Sequence, residues 1–185
     1  SAHIFPMLPE RLCTDLTSLN PGVDRLAVVT EMSFSQDGML MQSSVYRARV
    51  HNKAQLAYDA VSAWIDGEGD LPEPAQRVKG MDHQLRLQDE LAQKLRVLRR
   101  AEGSLEFETF QPKALFDGDR ISDIQQQVQN RARQLIEEFM IVTNGCTARF
   151  LATHGQVSLR RVVRSPERWM RIVQVALEYG VTLPH

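Results

Sequence analysis

Cysteine is scarce in this chain, which has only Cys13 and Cys146 in 185 residues. Two distant thiols offer neither a disulfide framework nor the close spacing of a thiolate metal site, and a reducing cytoplasm is the expected setting. An excess of one charge is also lacking. The 22 Lys and Arg nearly cancel the 23 Asp and Glu, leaving a formal net charge of -1. No global basic surplus therefore points to nucleic acid, and such a partner has to be argued from local features. No apolar run reaches the length that spans a bilayer. The opening SAHIFPMLPERL has neither the basic start nor the apolar stretch of a secretory signal. It also starts without Met, which suggests a piece of something longer. Repeats and low-complexity segments are missing too. What remains is an ordinary globular mixture, 43% hydrophobic and 24% charged, in a chain long enough for one domain with a real core.

Residues 1–22 read as irregular, extended chain broken by Pro6, Pro9 and Pro21-Gly22. Residues 25–50 predict a hairpin that turns at Gln36-Asp37-Gly38, because Asp-Gly between β-rich runs is a tight-turn signal. Helical spacing of Leu56, Ala60, Val61, Trp64 and Ile65 predicts a helix over 54–66, ended by Gly67. A longer helix is predicted over 82–100, with Leu85, Leu87, Leu91, Leu95 and Leu98 on its apolar side. A second hairpin is expected over 104–124, turning at Asp117-Gly118-Asp119, and then a helix over about 125–153. SLRRVVR at 158–164 suggests a short strand, and Ser165-Pro166 starts a last helix through Leu177. Strand pairs interleaved with helices predict an α+β fold of antiparallel pairs packed with several helices.

The helix containing NRARQLIEEFM, residues 130–140, poses the functional question. At about 100° per residue, Val128, Leu135, Phe139, Val142, Cys146 and Phe150 share a core side. Glu137 lies nearly opposite, with Asn130, Arg133, Ile141, Asn144 and Ala148. A solvent face would be charged along its length, and this one alternates polar with apolar side chains. Glu137 is either half of a surface pair with Arg133, four residues away, or a carboxylate lining a cleft. Glu138 and Arg131 share a flank between the two faces and are expected to be solvated.

Four blocks carry a family resemblance: PMLPERLCTDLTSLNPGVDRLAVVTEM (6–32), HNKAQLAYDAVSAWI (51–65), GSLEFET (103–109) and RARQLIEEFMIVTNGCTARFL (131–151). In this order and spacing the chain resembles the catalytic, RNB-type domain of the ribonuclease II/ribonuclease R family of 3′→5′ exoribonucleases. The tail SLRRVVRSPERW departs from the family pattern. The resemblance implies that residues 1–185 are a single partial domain, the middle of a catalytic domain. It implies hydrolysis of single-stranded RNA to nucleoside 5′-monophosphates by the full-length protein, with this segment supplying grips for the RNA 3′ end. By position, Tyr58 and Phe107 would pack the last bases and Glu137 would hold the terminal nucleotide. An aromatic face accepts any base, and a carboxylate accepts hydrogen bonds from ribose hydroxyls.

The resemblance also implies a cofactor, Mg2+, held by an aspartate cluster upstream of Ser1, so no catalytic residue is expected in this segment. A catalytic arginine is expected beyond His185, and flanking OB-type domains outside the chain. Asp117 and Asp119 around Gly118 read as a turn rather than a ligand set, and His51, His83 and His154 lack partners at ligand spacing. Arg160, Arg161, Arg164, Arg168 and Arg171 touch phosphates or form a solvated face. A monomer with no membrane association is expected. The rival readings are a catalytically inactive RNA-binding protein on the same scaffold and a self-standing interaction domain.

Overall fold

The computed structural model describes residues 5–104, 112–118, 120–126, 129–159, 162 and 167–183. The chain divides into two compact units, Ser1–Phe150 and Leu151–His185. The first unit holds two separate antiparallel hairpins and most of the helical mass, an α+β arrangement as expected. Strand β1 (Asp24–Phe34) pairs with β2 (Leu40–His51) in a register running from Asp24↔His51 to Phe34↔Leu40. The chain turns at Asp37-Gly38. Gly38 has φ +85, and a Cβ there would stand 2.9 Å from the Cβ of Lys94, so the tip can approach the neighbouring helix only with glycine. At the open end Asp24 accepts from His51 Nδ1 at 2.8 Å, and that hydrogen bond lowers the Asp24 pKa. Strand β3 (Pro112–Asp117) pairs with β4 (Arg120–Gln126) around Gly118, whose φ is +58.

Three helices build the core between them. They are α1 (Tyr58–Asp66), α3 (Met81–Ala101) and α4 (Arg131–Thr153), and the short α2 (Glu73–Gln76), between α1 and α3, adds Ala75. Val61, Ala75, Leu85 and Ala132 form the buried cluster, with Leu56, Trp64, Ile65, Leu71 and Met81 packed around it. Arg86 of α3 lies over the Trp64 ring at 4.4 Å, closing the α1–α3 seam. Gly67 ends α1 in a left-handed conformation, with its N–H donating to Trp64 O.

Several boundaries differ from those the sequence suggests. Within 1–22, Leu12–Leu16 forms a wide helical turn, and the hydroxyls of Thr17 and Ser18 donate to carbonyls five residues back. The first helix begins at Tyr58, not at residue 54. Asn52 Oδ1 accepts from Ala54 N at 3.1 Å, so the chain stays extended, and Leu56 reaches the core without being helical. The fourth helix begins at Arg131, not near 125. Gln125 and Gln126 pair with Lys113 and Pro112 in β4, and Asn130 caps the helix, accepting from Arg133 N at 3.0 Å. Leu87 is exposed, nearly opposite buried Leu85 on α3. Ser158, Leu159 and Val162 have no strand structure; the rest of the expected 158–164 strand, with Arg160, Arg161 and Arg164, lies outside the described residues. In the second unit, α5 (Trp169–Glu178) starts four residues after Ser165 because Arg168 takes a left-handed conformation, φ 62. Ser165 and Pro166 lie outside the described residues. Among the described residues no helix is long and apolar enough to cross a membrane.

Candidate nucleic-acid interface

The starts of α1 and α4 are tied together by a chain of polar contacts. Asn130 Nδ2 donates to Asp59 Oδ1 at 2.7 Å while its oxygen caps α4. Arg131 N donates to Ser62 Oγ at 3.1 Å, and that hydroxyl donates to Asp66 Oδ2 at 3.2 Å. The Arg131 guanidinium grips Asp89 of α3 from two nitrogens, at 2.9 and 2.8 Å. Asp89 is 6% exposed, and its proximity raises the guanidinium pKa further above its ordinary value. A buried carboxylate is stable only with such a partner. Orientation at this junction is therefore set by paired charges on three helices.

Tyr58, the first residue of α1, keeps 43% of its surface exposed. The guanidinium of Arg133 lies over its ring at 4.9 Å, and Arg133 Nη2 stands 3.9 Å from Asp59 Oδ1. Glu137, one turn further along α4, is exposed, and its Oε2 accepts from Gln129 Nε2 at 3.0 Å. Glu137 lies on the exposed side of α4, continued by Met140 at 58% and Ile141 at 39% exposure. Next to these residues an open cleft of about 590 Å³ is lined by Asp59, Ser62, Asp66, Gln129, Asn130 and Arg131, among others. Tyr58 and Glu137 are not among its lining residues; Tyr58 precedes Asp59 in sequence, and Glu137 accepts from Gln129. Tyr58 thus opens α1 and Glu137 lies in the second turn of α4, with Arg133, one turn before Glu137, against the ring. Phe107 lies outside the described residues.

Glu138 and Arg131 correct the expectation of a solvated flank. Glu138 is 3% exposed, and Arg99 of α3 grips both its oxygens, Nε to Oε2 at 3.1 Å and Nη2 to Oε1 at 2.6 Å. Arg99 Nη1 also donates to Ser104 Oγ at 2.7 Å. The two adjacent glutamates therefore have opposite surroundings. Glu138 holds α4 against α3, and Glu137 is presented outward. Sequence reasoning missed Arg99 and Asp89 as organising residues. The available signal was Asp89 lying in the buried stripe of Leu85, Ala92 and Leu95.

Asp117 at the second hairpin tip is exposed, and Asp119 lies outside the described residues. Among the described residues no group of three or more His, Cys, Asp or Glu is placed to hold a metal ion.

Mixed helices and antiparallel strand pairs, with the starts of two helices tied by polar contacts beside an open cleft, define an α+β scaffold with an open polar face. A family model described as RNB domain matches residues 1–178, and the chain belongs to this family. Ribonuclease R of Vibrio parahaemolyticus serotype O3:K6 is 36% identical over 166 residues, covering 89% of this chain and 20% of that protein. Ribonuclease R of Escherichia coli K12 is 36% identical over 190 residues, covering 99% of this chain and 22% of that protein. The solved structure of Mycoplasma genitalium RNase R in complex with ribose methylated single-stranded RNA superposes with a TM-score of 0.80 at 26% identity. That match covers 97% of this chain and 28% of the other. The chain thus spans about a fifth of the length of these curated relatives.

Proposed function

We propose that this RNB segment serves a 3′→5′ exoribonuclease that hydrolyses single-stranded RNA to nucleoside 5′-monophosphates, and that its share of the work is to hold the RNA 3′ end. The observation that carries this reading is a half-exposed Tyr58 ring against Arg133 of α4, with an exposed Glu137 carboxylate one turn further along that helix, in an RNB chain. Ribonuclease R relatives, one solved with a single-stranded RNA, support the substrate class. The exposed Tyr58 ring takes a terminal base by stacking, worth about 1–3 kcal/mol per base. Glu137 accepts from ribose hydroxyls, of which the 2′-hydroxyl separates RNA from DNA. Phe107, from SLEFET, completes the grip on the next base. Magnesium ligands would come from elsewhere in the full-length protein, and the bound ion would supply activation of water and charge neutralisation at the phosphate. The segment alone is inactive, and the full-length protein acts as a cytoplasmic monomer.

The test is a time course of full-length protein with Mg2+ and a 5′-labelled single-stranded RNA. The expected result is stepwise loss from the 3′ end with mononucleotide product. Tight RNA binding with no product would favour the inactive RNA-binding protein. Neither binding nor cleavage would end the reading.

A further inference from the structure

We infer that Arg133 is a positioning residue for Tyr58: its planar guanidinium occupies one face of the ring and holds the other toward the RNA. The inference rests on the proposed RNA-binding role of Tyr58. Among the described residues, no side-chain cap at the start of α1 fixes that ring. Tyr58 follows extended Ala57 and starts a helix whose first turn has no side-chain cap. Its side chain is 43% exposed, so packing restrains only part of it. Arg133 supplies the missing restraint from another helix. Its guanidinium lies 4.9 Å from the ring centroid, and its Nη2 is 3.9 Å from Asp59 Oδ1, the carboxylate next in sequence to the ring.

The arginine is itself held. Its backbone N–H donates to Asn130 Oδ1, and Asn130 Nδ2 donates to the same Asp59 oxygen. The cap of α4, the carboxylate of α1 and the guanidinium form one closed set of contacts, so the orientation of Tyr58 is coupled to the α4 turn that leads to Glu137. With one face covered by a cation, a base stacks on the opposite face. The guanidinium also offsets the negative charge of Asp59 beside an incoming polyanion. Lysine does not replace it, since an ammonium is a compact point charge without a plane to lay against the ring.

The experiment is a double-mutant cycle in the full-length protein, read as Kd for a fluorescein-labelled single-stranded RNA in EDTA, where no turnover occurs. Arg133→Lys is expected to raise Kd about 3- to 10-fold, the range of a partly desolvated cation–π contact. In a Tyr58→Ala background the same substitution is expected to cost nothing further. A merely structural role would not disappear with the ring. If Arg133→Lys has no effect in the wild-type background, or costs as much without the ring as with it, the inference is overturned. A persistent cost with a shallower salt dependence would assign Arg133 to a phosphate instead. If Tyr58→Ala alone leaves Kd unchanged, the RNA-binding reading itself has failed. Thermal midpoints of all four proteins identify any loss of fold, and Arg133→Gln repeats the cycle if the lysine variant unfolds.

Discussion

Glu137→Ala in the full-length protein is expected to slow hydrolysis of single-stranded RNA by about 10- to 100-fold, because a hydrogen bond to a charged group is worth about 1.5–3 kcal/mol. The carboxylate is exposed, with Gln129 donating to it, so its removal disturbs no core contact. Stability should move by about 0.5 kcal/mol or less, as for most surface substitutions. Loss of activity without loss of stability separates a ligand contact from an ornamental surface charge. A second signature is specificity. If Glu137 accepts from ribose hydroxyls, the variant should also lose part of its preference for a 3′-terminal ribonucleotide over its 2′-deoxy counterpart. Initial rates on the two oligonucleotides measure both effects, and an unchanged rate on RNA removes the role.

The neighbouring residue should behave in the opposite way. Glu138→Ala is expected to destabilise the fold by about 3–5 kcal/mol, since it breaks a two-pronged ion pair made by a carboxylate that is 3% exposed. In a domain of this size that corresponds to a fall in thermal midpoint of roughly 10 °C. Much of the penalty comes from removing one partner of a desolvated pair, not from the net value of the pair. Replacing both partners, Arg99→Met with Glu138→Leu, should therefore recover most of the loss. Thermal unfolding of the two single variants and the double variant checks this. Equal stability of Glu138→Ala and wild type would contradict the buried pair.

This contrast within one dipeptide shows what can be read from a sequence and what cannot. Glu137 was legible because helical periodicity puts it opposite Leu135 and Cys146, and the observed burial agrees. Glu138 was not, because its partner is 39 positions away on α3. Periodicity within a single helix carries no information about a charge on its neighbour. The same blindness hid Arg131 and Asp89, 42 positions apart. The first hairpin and α3 were legible, since Asp37-Gly38 and the recurring leucines are local signals. The start of α4 was not. The glutamines before it favour a helix as readily as a strand, and only pairing with Pro112 and Lys113 places them in β4. Tyr58 and Glu137 came from resemblance to a family; no local rule separates a half-exposed tyrosine from a core one. What the coordinates add is Arg133, whose contact with Tyr58 crosses between helices.

The central claim is that Tyr58 and Glu137 meet the same end of an RNA strand. A single-stranded RNA carrying 4-thiouridine at its 3′ terminus, photo-crosslinked to the full-length protein and digested with trypsin, addresses it directly. Crosslinks are expected in the peptides spanning 54–77 and 134–149, which carry Tyr58 and Glu137. RNA that binds and crosslinks elsewhere, with both peptides unmodified, would contradict the account.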